Sequence, residues 1–257
     1  MNDTEYSIVI PAYNEDKIAS TTLTQILNFM RGYCAFFEIL FVDDGSTDGT
    51  ITAVENYIRT HQEDADHIKL VKNPHKGKAF AVRTGVLMAQ GKYILLCDAD
   101  MATPIEELKR LMVWINDQNF HIVIASREGV GATRRNEPWI RHLMGKVFNL
   151  VIKLLLIRGF DDTQCGFKVM TNGAARDVFA HMILFGDNIP ETKKPRVSAF
   201  DAELLVVALR LGYRVKSVPV TWTHTPSVRV RVIGESIDMF IEVLRIKLND
   251  MLGKYSL

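Results

Sequence analysis

The stretch from Tyr93 to Asp100 reads YILLCDAD, an apolar run that stops at two carboxylates separated by one alanine. Four apolar residues bounded by polar ones read as a short buried strand, so Asp98 and Asp100 sit where that strand ends. The same design recurs along the first half of the chain. Residues 7–10 are followed by Pro11, Ala12, Tyr13, Asn14 and Glu15, residues 39–42 by Asp43, Asp44, Gly45 and Ser46, and residues 122–125 by Ser126 and Arg127. Residues 68–71 make a fifth run. Helix-length segments lie between them, near 16–31, 48–60, 77–90 and 104–118. Thr103 and Pro104, with Glu106 and Glu107 behind them, predict a capped helix start with acids in the first turn. Strands alternating with helices predict an α/β fold, a mostly parallel central sheet with helices on both faces. Ligands on such sheets bind outside the carboxyl ends of the strands. Acidic and polar residues that keep to strand ends this consistently mark a site.

Each element of that edge has a chemical reading and a bland one. Two carboxylates with one spacer suit a hard divalent cation that also bridges a diphosphate, since Mg²⁺ takes one or two carboxylates plus substrate phosphates. The competing reading is an ordinary surface turn, against which stands the buried strand before it. Asp43 or Asp44 reaches a base or a ribose hydroxyl, or the segment is a turn in which Ser46 or Thr47 caps the next helix. Glu15 meets a base edge or the ribose, or is a first-turn acid favoured by the helix dipole. His75, Lys76, Gly77 and Lys78 precede a helix and form a natural phosphate site, or a solvated basic turn. No G-x-x-x-x-G-K-[ST] is present and no G-x-G-x-x-G follows the first strand, which demotes P-loop hydrolysis and nicotinamide chemistry.

The 257 residues carry 31 basic and 30 acidic side chains, a formal net charge of +1. That total hides a split: residues 1–66 hold 12 acids against 3 bases, and the remainder 18 against 28. Cys34, Cys97 and Cys165 are odd in number and far apart, which suggests neither a disulfide framework nor a zinc site and fits a reducing, cytoplasmic setting. The N-terminus has no basic region or long apolar stretch and does not read as a signal peptide. No run approaches the ~20 apolar residues a spanning helix needs, so a soluble chain, or one lying on a membrane, is expected. Two amphipathic helices are expected near 139–157 and 235–252. The polar stripe of the first is His142, Lys146, Asn149 and Lys153. The second sets Ile237, Phe240, Ile241, Leu244, Leu248 and Met251 against Asp238, Glu242, Arg245 and Asn249. By default their apolar faces pack on the domain; a bilayer interface or a dimer seam are the other uses. Residues 128–138 and 185–197 read as mobile loops.

Together these residues resemble family 2 glycosyltransferases of the GT-A fold. Within that family they look most like the polyprenyl-phosphate glycosyltransferases, the dolichyl-phosphate β-glucosyltransferase group in particular. The carriers are residues 9–15, 42–48, 76–78, 98–103 and 126–127, then 162–168 (DTQCGFK), 200–205 (FDAELL) and 218–222 (VPVTW). The resemblance spans about residues 6–250 and implies a single domain. Its residues 1–127 would bind the nucleotide sugar; residues 128–257 would bind the acceptor and carry the amphipathic helices. It implies that Pro11, Ala12, Tyr13, Glu15, Asp43, Asp44, Lys78 and Ala99 contact the donor. Asp98 and Asp100 would hold Mg²⁺ or Mn²⁺ with the diphosphate. Arg127, Arg135, Arg141, Gln164 and either Arg229 or Arg231 would meet the acceptor phosphate. The segment 225–231 lacks the glycine that relatives carry there.

The implied reaction is inverting transfer of a hexose, glucose from UDP-glucose by the glucosyl-type motifs, to a polyprenyl or dolichyl phosphate. A phosphate acceptor is already ionised and needs no base, whereas a hydroxyl acceptor needs a carboxylate within reach. Asp162 and Asp201 are the candidates for that base, and each also reads as a cap or loop anchor. On this reading Asp162→Asn is tolerated for a phosphate acceptor and abolishes transfer to a hydroxyl. The alternatives are a soluble or glycan hydroxyl acceptor, GDP-mannose as donor, and a sugar-nucleotide-binding protein without catalysis. A nucleotidyltransferase would show a Gly-rich, basic signature near its N-terminus, where Pro11–Glu15 stands instead. The expected setting is peripheral, on the cytosolic face of a membrane, without nucleic acid, and with a homodimer as an option.

Overall fold

The computed structural model describes residues 4–186, 189–192, 198–225 and 232–255. Along the first half the chain runs β1 (Tyr6–Ala12), α1 (Ala19–Tyr33), β2 (Phe37–Asp43), α2 (Thr50–Thr60), β3 (Ile68–Lys72), α3 (Lys78–Met88), β4 (Tyr93–Leu96), α4 (Glu107–Asn116) and β5 (Ile122–Ser126). It continues through β6 (Thr133–Arg135), α5 (Trp139–Leu155), β7 (Lys168–Thr171), α6 (Asn172–His181), α7 (Phe200–Arg210), β8 (Val215–Pro219), β9 (Thr221–Thr223) and α8 (Val232–Met251). Seven strands form one sheet in the order β3-β2-β1-β4-β7-β5-β8, and β6 pairs with β9 in a separate ribbon. Every pairing in the main sheet is parallel except those of β7, which runs antiparallel to both β4 and β5.

Strand side chains alternate between two apolar layers, as the pleat requires. Ile8, Ile10, Ile39, Phe41 and Leu95 face α1, α2 and α4, while Val9, Leu40, Val42, Ile94 and Leu96 face α3, α6 and α7. Burial on both faces explains why the strands read as unbroken apolar runs rather than alternating ones. Gly85 lets α3 lie close on the sheet: a Cβ there would stand 2.3 Å from Val9 Cγ1. The order of the strands reverses between β1 and β4, so the crevice of the sheet opens where Pro11 and Asp98 emerge.

Three expectations need correction. The helix after Asp100 begins at Glu107, not at Pro104; residues 104–106 form a tight turn, and no side chain caps the helix. Thr103 lies against Cys165 Sγ instead, and Glu107 Oε1 accepts the backbone N–H of Thr221. Residues 128–138, expected as a loop, include β6, which pairs Arg134 with Trp222.

The third correction concerns the amphipathic helices, each of which buries one expected polar position and exposes much of its apolar stripe. On α5 the polar Asn149 is 6% exposed and accepts hydrogen bonds from Thr163, while Leu143, Val147, Leu150 and Leu154 are more than half exposed. On α8, Glu242 is buried and accepts the Ala199 N–H, Val243 and Ile246 enter the core, and the stripe from Ile237 to Met251 faces outward. Each helix therefore packs on the domain through part of its apolar surface, Ile152 with Phe148, Val151 and Leu155 on α5 and Val243 with Ile246 on α8, and leaves a second apolar stripe outside.

Candidate active site

The ends of β1 and β2 are laced together by their loops. Asn14 N donates to Ser46 Oγ, Thr47 N to Asn14 Oδ1, and Glu15 N to Thr50 Oγ1. Asp43, fully buried at the end of β2, accepts Ser46 N through Oδ2 at 3.0 Å. Its Oδ1 is buried and has no partner among the described residues, an unmet acceptor at the end of β2. Asp44 is spent differently. It lies 2.7 Å from His75 Nδ1 and accepts Lys76 N and Gly77 N, so it ties down the loop before α3. Burial pushes its carboxyl above the ordinary range despite these bonds. The His75 ring in turn stacks on Tyr13, with centroids 4.0 Å apart and planes 6° from parallel.

At the end of β4, Lys78 Nζ is 2.5 Å from Asp98 Oδ1. Burial acts to raise the Asp98 carboxyl, but Lys78, with Lys168 and Arg127 beyond it, holds it below its ordinary value. Asp100 shifts upward, through burial and the neighbouring Asp98 charge. Asp98 thus has a cation partner in Lys78, while the Asp100 carboxyl is crowded by the Asp98 charge. The pair of carboxylates fits a divalent cation completed by substrate phosphates. Gly166 is required here, because a Cβ would fall 2.1–2.6 Å from the three carboxylate atoms of Asp98. Thr225 hydrogen-bonds Asp100, and Thr223 N donates to Ala102 O, which brings the 221–225 segment over the acid pair.

Asp201 lines the same crevice as Pro11, Lys78 and Asp98. It is 2.6 Å from the ammonium of Lys168, itself fully buried and also donating to Cys165 O. Past β5, Arg127 grips Asp162 by Nε at 2.7 Å, Nη2 at 2.8 Å and its backbone N–H at 2.9 Å, and Gln164 N adds a fourth bond. Burial alone would raise the Asp162 carboxyl; the Arg127 charge and these hydrogen bonds outweigh it and hold the group at about 2. Asp162 is therefore held ionised against Arg127, and Asp201 is paired with Lys168, so each acid is engaged by a cation.

Of the cations expected at the acceptor, Arg127 sits at the crevice with its guanidinium over the Trp222 ring, 5.3 Å from the centroid. Arg135 and Arg141 are exposed, on β6 and at the N-terminal end of α5. Arg229 and Arg231 lie outside the described residues. The spacing of motifs does not reveal Arg134, which donates to Glu137, Glu128 and the carbonyl oxygen of Arg127, and whose guanidinium lies 6.0 Å from the Trp222 centroid. Lys168 is missed as well, although a lone ammonium within the apolar run 167–170 is a signal of a buried partner.

The chain matches the Glycosyl transferase family 2 profile over residues 7–179. It is 34% identical over 253 residues to a dolichyl-phosphate beta-glucosyltransferase of Trichomonas vaginalis, covering 93% of this chain and 70% of the relative. A dolichyl-phosphate beta-glucosyltransferase of Dictyostelium discoideum is 30% identical, with 96% and 75% covered. Among solved structures, glucosyl-3-phosphoglycerate synthase from Mycobacterium tuberculosis, in complex with Mn²⁺, UDP and phosphoglyceric acid, superposes with a TM-score of 0.65. That match covers 99% of this chain and 80% of that one at 15% identity, a likeness of fold. The strand-end acids, Lys78, Arg127 and Asp162 all fall inside the matched span, and the chain belongs to glycosyl transferase family 2 as a glycosyltransferase of GT-A fold.

Proposed function

We propose that this chain transfers glucose from UDP-glucose to a dolichyl or other polyprenyl phosphate, with inversion at the anomeric carbon. One observation carries the choice of acceptor. The two acids available as a general base, Asp162 and Asp201, are both committed to buried cations, while arginines continue outward from the crevice. A hydroxyl acceptor would need a free base; a phosphate oxygen arrives ionised and needs only positive charge to approach an anionic donor. The relatives named dolichyl-phosphate beta-glucosyltransferase agree with that choice and with glucose as the sugar.

In this reading the open Asp43 Oδ1 accepts the base N–H, and Tyr13 offers a ring face beside it. Lys78 and Arg127 lie along the diphosphate, their positions fixed by Asp98 and by Asp162 with Trp222. Asp98 and Asp100 would hold Mg²⁺ or Mn²⁺, which when bound supplies positive charge against the departing diphosphate. The acceptor oxygen forms its bond to the anomeric carbon from the face opposite the departing UDP, the bond to the UDP oxygen breaks, and UDP leaves with its electron pair. No proton changes hands. Fixed cations aimed at the leaving group are effective because they need no reorganisation as charge develops. The setting proposed is the cytosolic face of a membrane, with the chain peripheral to it.

The test is transfer from UDP-glucose and GDP-mannose to short polyprenyl phosphates and to the matching polyprenols. Transfer from UDP-glucose to the phosphates alone is expected, with UDP binding in Mn²⁺ lost in Asp100→Ala. Transfer to the alcohols and not the phosphates overturns the proposal.

A further inference from the structure

We infer that the outward apolar faces of α5 and α8 form one surface that seats this enzyme on an anionic bilayer. The inference rests on the lipid-phosphate reading above and adds the face by which the protein meets its substrate. No helix among the described residues is long and apolar enough to cross a membrane. The two helices pack against each other, and their exposed stripes, including Leu150 and Leu154 on α5 and Phe240, Leu244 and Leu248 on α8, look away from the core. Helices of 17 and 20 residues extend about 25–30 Å. Exposed apolar surface of that extent is unusual unless something covers it.

The charges identify the occupant. α5 carries Arg141, Lys146 and Lys153 and no acid; Lys153 pairs with Asp161 at 2.6 Å, and Arg158 follows the helix. Arg141 and Lys146 are exposed and pair with no carboxylate among the described residues. α8 carries Arg245 and Lys247 with Glu235, the exposed Asp238, the buried Glu242 and Asp250, which Arg210 engages, so the excess of bases lies on α5. Apolar side chains at the centre with bases beside them match a surface of acyl chains under anionic headgroups. A second copy fits less well, since a two-fold contact through α5 would set its bases against each other. Docking by this face also places Arg135 and Arg141, at the leading end of α5, at headgroup level. A lipid phosphate then reaches the crevice without leaving the bilayer.

Flotation of the full chain with vesicles tests this, using phosphatidylcholine alone and phosphatidylcholine with about 30% phosphatidylserine. The wild type should float with the anionic vesicles, and high salt should weaken binding. The double variants Leu150→Ser with Leu154→Ser, and Leu244→Ser with Leu248→Ser, should each lower the partition coefficient by about tenfold or more. Both should keep wild-type transfer to a short, water-soluble polyprenyl phosphate and lose transfer to a long-chain phosphate in vesicles. A wild type that stays unbound to both vesicles overturns the inference. So does a dimer in sedimentation that the serine variants dissolve, because the face then belongs to a second copy. A chain that floats yet transfers to no phosphate acceptor upholds the docking face and refutes the acceptor.

Discussion

Asp162→Asn separates a carboxylate that positions from one that takes a proton. Asp162 is fully buried and accepts four hydrogen bonds, three of them from Arg127. An amide keeps the shape but offers one acceptor oxygen and one NH₂, so part of the guanidinium then faces another donor and has no counter-charge. Breaking a buried pair by removing one partner costs about 3–5 kcal/mol. The Arg127 side chain keeps 18% exposure and its place over Trp222, which puts the expectation nearer 2–3 kcal/mol. Proton linkage gives the same size independently. The carboxyl is lowered from 3.8 to about 2 in the folded chain by the Arg127 charge and its hydrogen bonds, a difference of roughly 2–3 kcal/mol. Because the folded value is the lower one, this stability is complete above about pH 4 and fades as pH drops toward 2. Urea unfolding at pH 7 and down through that window, on wild type and Asp162→Asn, reads both quantities. The variant should lose the 2–3 kcal/mol at pH 7, lack that acid-linked loss, and transfer poorly to phosphate and hydroxyl acceptors alike. A variant as stable as wild type that fails only with hydroxyl acceptors would show Asp162 to be a base and refute this reasoning.

Four other outcomes follow from named contacts. Gly166→Ala should displace the Asp98 carboxylate and lower kcat/KM by about 100-fold with little change in the urea midpoint; a near-normal rate would mean Asp98 has room to move. Lys168→Met strands Asp201 in the core and should cost about 3–5 kcal/mol, and adding Asp201→Asn should restore most of it, as unfolding in the single and double variants will show. Trp222→Leu removes the plate under Arg127 and should lower kcat/KM by about tenfold with folding intact by circular dichroism. Arg135→Ala and Arg141→Ala should raise the KM for the lipid phosphate and leave that for the donor unchanged; full turnover of both at limiting acceptor would remove them from the acceptor site.

The parallel half of the sheet was legible because a strand buried on both faces leaves an unbroken apolar signature. Tyr93–Leu96 and its neighbours therefore end within a residue or two of where periodicity places them. β7 escaped detection for the opposite reason. It is four residues long and opens with Lys168, whose charge disguises a core position until Asp201 is brought to it from 33 residues away. The same limit applies to the site. Local sequence proposes that Asp43 and Asp44 matter, but their division of labour depends on the loop at 75–77, which folds back onto Asp44 and leaves Asp43 open. Asp162 likewise reads as a base until Arg127 closes on it. Periodicity finds a helix's apolar stripe but says nothing of which side meets the protein. Asn149 and Glu242 turn inward because Thr163 and the Ala199 N–H must be satisfied there, and those partners are distant in sequence.

The division into an acidic first quarter and a basic remainder also changes meaning once partners are known. Several acids of the first part are discharged locally, Glu38 against Lys69 and Asp64 against Arg31. Bases of the second part are discharged in the same way: Arg127 by Asp162, Arg134 by Glu128 and Glu137, and Lys168 by Asp201. Net charge therefore overstates the field available to a ligand, because a paired cation positions groups more than it attracts from a distance. The cations that stay exposed without a carboxylate partner among the described residues include Arg135, Arg141 and Lys146, which run from β6 onto α5. These meet the apolar face at one end and approach the crevice at the other. On the proposed reading, an anion held in a membrane surface would encounter both at once, an arrangement suited to a lipid phosphate and unnecessary for a soluble sugar alcohol.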